Sequence, residues 1–226
     1  MGKVAISADS VSLTPEKARE YGFTMIPLPI IMGGKQYLDT EINMDELYAR
    51  LDTKENLPKT STANVEEFLR FFAELSQKAE AIFHICMSSV FSPQYNNALK
   101  AKELAGEKLP GTRIEVADSR TIGIGVHFLF YYDKGGRVFE ARTWAEAESA
   151  SSFRSIVEVD ASTGGTVKPV ARAKTVAQIM DKLVEITKER ANGNKLCAVI
   201  GHTRVPDRAE KLNGKGLIDY TFSTRA

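Results

Sequence analysis

The chain has 226 residues and a mass of 24.9 kDa, room for one large domain or two small ones. Lysine and arginine total 30 against 29 acids, so the basic stripe that phosphate-backbone binding leaves is missing and nucleic acid is set aside as a main partner. Hydrophobic residues make up 43%, enough for a substantial core, yet no apolar run reaches the ~18 residues of a membrane span.

The opening MGKVAISADS lacks a long apolar signal core, so a soluble, cytoplasmic protein is expected. Lys3–Ser7 reads as a strand that ends at Ala8-Asp9-Ser10. Thr14 and Pro15 then suit the N-cap and first position of a short helix running to about Tyr21. Met25–Met32 is apolar but holds Pro27 and Pro29, which lack the ladder donor; an edge strand is predicted. Gly33-Gly34 predicts a turn, with Lys35–Leu38 pairing back as a hairpin. Ile42–Leu51 has helical spacing, with Asn43 as N-cap and Glu46 at the third position.

The stretch LPKTSTANVEEF, Leu57–Phe68, gathers small polar residues ahead of a helix. Asn64 and Glu67 form a capping box, and Phe68, Leu69, Phe72 and Leu75 are expected on one face. A strand at Ala81–Met87, the loop SSVFS, a helix over Pro93–Ala105 and a strand at Arg113–Asp118 follow. Strand and helix in alternation predict a parallel α/β sheet.

Beyond a boundary near Gly125–His127 the character changes. Phe128–Ala141 is aromatic and interrupted by Gly135-Gly136. Ser155–Val170 reads as a hairpin around Thr163-Gly164-Gly165, Thr175–Arg190 as a helix, Lys195–His202 as a buried strand and Pro206–Leu212 as a short helix. Residues 1–126 are thus expected to form a parallel α/β domain, and 127–226 a smaller α/β domain with antiparallel pairing. Cys86 and Cys197 lie in apolar strands and read as buried structural thiols; their number excludes a disulfide framework.

Ligands of a parallel sheet bind beyond the carboxyl ends of its strands. Those ends carry Asp9-Ser10, Ser88-Ser89 and Asp118-Ser119. Ser92 precedes Pro93 and reads either as an N-cap or as a hydroxyl offered to an anion at a helix start. In the Leu57–Phe68 stretch Asn64 is used by its capping box, which leaves Thr60 and Ser61 without an obvious local role. Val90, Phe91, Phe23, Ile26 and Leu28 flank these hydroxyls, and an apolar wall with a small polar head clamp suits an amphiphile. The histidines, His84, His127 and His202, assemble no Ser-His-Asp or Cys-His set and no metal-binding spacing. Lys134-Gly-Gly-Arg137 lacks the phosphate-loop frame; a glycine turn that presents Arg137 is the simpler reading.

Taken in order, these pieces resemble the DegV family of bacterial lipid-binding proteins. ISADSVSLTPE, IPLPIIMGGKQYLD, LPKTSTANVEEF, MSSVFSPQYNNA, VADSRTIGIG, YYDKGGRV and GGTVKPVARAKTVAQIMDKLVE each match a family segment. The resemblance implies a two-domain α/β protein, not an enzyme, that holds a long-chain fatty acid such as palmitate between its domains. It implies that the carboxylate is presented to a separate fatty acid kinase subunit, with no cofactor and no metal. Thr60, of the K-T-S motif, and Ser92, the last serine of S-S-x-x-S, are implied as its clamp, with Ser61 and Ser89 in support. Arg137 is implied near the head group or the kinase contact. Pro93 and Gln94 replace the family's glycine and threonine, and Pro93 removes one backbone donor. A helical segment after Gly125 and the family's histidine-bearing C-terminal segment find no match, so a shortened or divergent member is expected. The rival expectations are a phosphotransfer or keto-substrate enzyme of related architecture, working through His202 or Lys134, and a ligand-free remnant.

Overall fold

The computed structural model describes residues 3–49, 57–123, 125–126, 143–148, 154–193, 198–202, 205–215 and 221–225. The chain divides into two compact units, Met1–Ser119 and Arg120–Ala226.

In the first unit β1 (Val4–Asp9) is followed by α1 (Pro15–Tyr21), whose Thr14 side chain accepts from Lys17 N as a cap. β2 (Thr24–Ile26) pairs with β1 in parallel. β3 (Pro29–Met32) and β4 (Lys35–Leu38) form the expected hairpin. Gly33 and Gly34 turn it with φ of 57° and 75°, both in the left-handed region that glycine tolerates without cost. α2 (Met44–Ala49) is capped by Asn43. β5 (Lys59–Thr60), α3 (Val65–Ser76), β6 (Ala81–Cys86), α4 (Gln94–Lys108) and β7 (Arg113–Asp118) complete the unit.

The main sheet has the order β2-β1-β6-β7, parallel throughout. Met25–Met32 is two strands rather than one edge strand. β2 is the edge of the parallel sheet, whereas β3 is the centre of a separate antiparallel sheet, β4-β3-β5. The prolines explain the break: Pro27 cannot continue the ladder, and Pro29 sits at the first residue of β3, where a missing donor is tolerated.

Strand alternation puts Ile82, His84 and Cys86 on one face of β6, level with Ser7 on β1 and with Val116 and Asp118 on β7. α3 brings Phe68, Phe71, Phe72 and Leu75 to the core at helical spacing, and α4 brings Ala98, Ala101 and Ala105. Leu69 is only half-buried, and Phe71 takes the place expected of it.

The second unit contains an antiparallel sheet of β8 (Thr143–Glu148), β9 (Arg154–Val159) and β10 (Lys168–Ala173), in the order β10-β9-β8. A 3-10 turn at Ala161–Thr163 joins β9 to β10, with Asp160 accepting from Ser162 N and Thr163 N. α5 (Val176–Ala191), started by a Thr175–Gln178 capping box, packs on β9 and β10. β11 (Ala198–His202) pairs in parallel with β12 (Thr221–Arg225), and α6 (Pro206–Asn213) packs on both. Among the described residues no helix is long and apolar enough to cross a membrane.

Candidate functional site

The carboxyl ends of β1, β6 and β7 are stitched together by polar side chains. Asp9 is fully buried; its Oδ2 accepts from Met87 N at 2.7 Å and its Oδ1 from Gln94 Nε2 at 3.1 Å. Asp118 accepts from Ser89 N at 3.1 Å and from Ser89 Oγ at 2.5 Å, while Ser119 N donates to Cys86 O. Ser88 O accepts from both Phe91 N and Ser92 N at 3.0 Å, which closes a tight turn ahead of α4. Where β3 begins, Asp39 accepts from Leu28 N at 2.9 Å and from Ser10 Oγ at 2.5 Å. Burial pushes the Asp39 carboxyl above its ordinary range, against the pull of these two bonds.

The Thr60 segment is fastened to the same end of the unit. Thr60 pairs with Ile30, and Ser61 N donates to Pro29 O at 2.9 Å. Ala63 N donates to Gln94 Oε1 at 3.0 Å, and Asn97 Nδ2 donates to Ala63 O at 2.9 Å. Asn64 accepts from Glu66 N and Glu67 N, and Glu67 accepts from Asn64 N at 2.7 Å, so the capping box is complete. The side chains of Thr60 and Ser61 are exposed, with no hydrogen-bond partner among the described residues.

Ser92 departs from its expected place by one residue. α4 starts at Gln94, and Pro93 occupies the cap position in helical dihedrals, φ −63° and ψ −5°. The turn at Ser88–Ser92 already leads the chain into the helix, and proline's fixed φ continues it. Ser92 Oγ accepts only a long bond, 3.3 Å, from Gln94 N, and its hydroxyl proton is not used by that bond.

Behind these ends lies a buried polar knot. His84 is fully buried, its Nδ1 is 3.0 Å from Ser7 Oγ and its Nε2 is 3.6 Å from Asp9 Oδ1. Phe68, Phe71 and Phe72 meet its ring edge-on at centroid separations of 5.3 to 5.9 Å. Ligand atoms of Asp9, His84 and Cys86 lie within 4.8 Å of one another. Burial pushes the Cys86 thiol up, and both Asp9 oxygens already accept hydrogen bonds.

The model of the family described as uncharacterised DegV proteins matches residues 3–133, more than half of the chain. The chain belongs to the DegV family. A DegV domain-containing protein of Caldanaerobacter subterraneus is 35% identical over 127 residues, which are 55% of this chain and 44% of that protein. One from Clostridium perfringens is 25% identical over 244 residues, 92% of this chain and 86% of that one. Among solved structures, the DegV family protein of Ruminococcus gnavus, refined with vaccenic acid, superposes with a TM-score of 0.83 at 18% identity, covering 99% of this chain and 93% of that one. DegV of Bacillus subtilis, described as a fatty acid binding protein, gives 0.80 at 16% identity, with 100% and 93% covered. The DegV α/β fold is thus shared along the chain.

Of the residues that the DegV resemblance implied, Thr60, Ser61, Ser89 and Ser92 all lie in the first unit. Gln94 and Asn97 fasten the Thr60–Ala63 run to the helix that Ser92 precedes. Ser89 is turned to Asp118. Arg137, Lys134, His127 and Cys197 lie outside the described residues, and His202 is the last residue of β11. Sequence reasoning passed over Gln94, which it met only as a departure from a motif, and the pairing of Asp9 with it.

Proposed function

We propose that this chain binds one long-chain fatty acid, with its carboxylate at Thr60 and Ser92, and presents that carboxylate to a fatty acid kinase. The observation that supports the reading is the fastening of the Thr60–Ala63 run to the first turn of α4 through Gln94 and Asn97, about thirty residues on in sequence. It brings two hydroxyl-bearing segments to one end of a parallel sheet, where ligands of such sheets bind. Two DegV family proteins of the same fold are described with vaccenic and with heptadecanoic acid, and a third protein of this fold is described as stearic-acid-binding.

A carboxylate withdrawn from water must keep its hydrogen bonds or take up a proton. The hydroxyls of Thr60 and Ser92 can donate to it, and Ser61 stands beside Thr60 as a further donor. The tail supplies the affinity, at about 0.8 kcal/mol for each buried CH₂. Arg137, which lies outside the described residues, is the cation proposed for the head group or the kinase contact. A cytoplasmic protein in two domains, 1–126 and 127–226, fits this role.

Mass spectrometry of a gentle organic extract of the purified protein tests the reading. One long-chain acid per chain is expected from the wild type, and none from a folded Thr60→Ala/Ser92→Ala variant. Wild-type occupancy in the double variant sinks the assignment. Acyl phosphate formation by a fatty acid kinase, with and without the protein, tests the presentation step.

A further inference from the structure

Gln94 is fully buried and bonded at both ends. Its Oε1 accepts from Ala63 N at 3.0 Å, and its Nε2 donates to Asp9 Oδ1 at 3.1 Å. The orientation of the amide is dictated by its partners, since a backbone N–H can only donate and a carboxylate can only accept. One side chain therefore joins the exit of β1, the run between β5 and α3, and the first turn of α4. Asn97, one turn further along α4, takes the carbonyl of the same Ala63 at 2.9 Å. Both polar groups of that residue are pinned. Thr60 lies three residues before Ala63, and Ser92 Oγ accepts from the backbone N of Gln94 itself at 3.3 Å.

We propose that Gln94 is the positioning residue of the carboxylate clamp. It does not touch the ligand. It sets the Thr60 strand against the Ser92 turn through a fixed chain of donors and acceptors: Ala63 N–H to amide oxygen, amide N–H to Asp9. The inference rests on the fatty-acid reading above and deepens it. A buried residue that only fills space tolerates an apolar side chain of similar volume; this one needs an acceptor at one end and a donor at the other.

The polarity of the chain makes it testable. In Q94L both bonds are lost. In Q94E a carboxylate oxygen still accepts from Ala63 N, but its partner oxygen opposes Asp9. In D9N/Q94E the sequence is restored in reverse: the asparagine amide donates to the new carboxylate and its oxygen still accepts from Met87 N. His84 Nε2 then faces a donor rather than an acceptor, and a neutral imidazole accommodates that by exchanging tautomer while the Ser7 hydroxyl turns.

Palmitate affinity and amide hydrogen exchange at Ala63 are measured for all four proteins. Q94L and Q94E are expected to weaken palmitate binding by about tenfold or more and to speed exchange at Ala63, with α3 amides still protected. D9N/Q94E is expected to regain affinity to within about threefold of wild type, a rescue that no space-filling role produces. Where Q94L fails to fold, Q94E and the double variant carry the comparison. Wild-type affinity in a folded Q94L, or a double variant no better than Q94E, overturns the inference while leaving the fatty-acid reading in place. A wild-type protein that takes up no palmitate overturns both.

Discussion

Helices α3 and α4 pack side by side in the first unit, and they are built on opposite plans. α3 is anchored by large rings: Phe68 and Phe72 are wholly buried, and Phe71 and Leu75 nearly so. Its first turn is closed by a complete capping box. α4 meets the core with alanines at 98, 101 and 105, has no side-chain cap at Pro93, and spends its first buried position on a polar amide. Aromatic bulk fixes α3 in place, whereas α4 meets the core mainly through alanine methyl groups, with Tyr95 packed beside them. The difference separates a helix whose start is already satisfied from one whose start is held by partners elsewhere in the chain.

Four substitutions probe that contrast. Phe72→Ala should have the largest effect, about 3–5 kcal/mol of destabilisation in a urea melt, because a wholly buried ring leaves a cavity. A loss under 1 kcal/mol would mean that α3 is not the anchor. Ala101→Leu should cost about 1–3 kcal/mol by overpacking, since Ala101 is fully buried between α4 and its neighbours; a neutral result would show slack beneath α4. Asn64→Ala should cost about 1 kcal/mol and leave fatty acid occupancy unchanged, because its side chain is consumed by the cap. Ser92→Ala should shift stability least, by a few tenths of a kcal/mol, given its long bond to Gln94 N, but should lower occupancy. If Asn64→Ala empties the protein and Ser92→Ala does not, the roles of the two helix starts are reversed.

Much of this plan was legible from residues alone, and the reason is locality. A capping box, a Thr-Pro helix start and a glycine-pair hairpin are decided within a few residues, and each is where the sequence puts it. Parallel pairing followed from the alternation of strand and helix. Met25–Met32 was harder, because a continuous apolar run does not mark where a chain leaves one sheet for another. Lys59–Thr60 and Thr143–Glu148 carry no strong alternating pattern, and their pairing partners make them strands. At the site, Thr60 and Ser92 could be singled out by elimination and resemblance. The bond from Gln94 to Asp9 spans 85 residues, and no local pattern announces it. A glutamine in place of the family's threonine was visible as an oddity; only the fold gives it two partners.

The junction of Ser10, Leu28 and Asp39 has a thermodynamic consequence. Burial holds the Asp39 carboxyl above its unfolded value, so between the two values the native chain keeps more of a proton there than the unfolded chain does. Stability from this group is fully present below the unfolded value and is lost as pH rises through the raised one. Glu115, held below its ordinary value by hydrogen bonds from Lys102 and Arg113, works the other way: its contribution is present above the unfolded value and is lost as pH falls through the lowered one. At the first site, therefore, folding takes a proton up in the window just above the unfolded value; at the second it lets one go in the window just below it. The two carboxylates tilt the pH profile of the same unit in opposite directions.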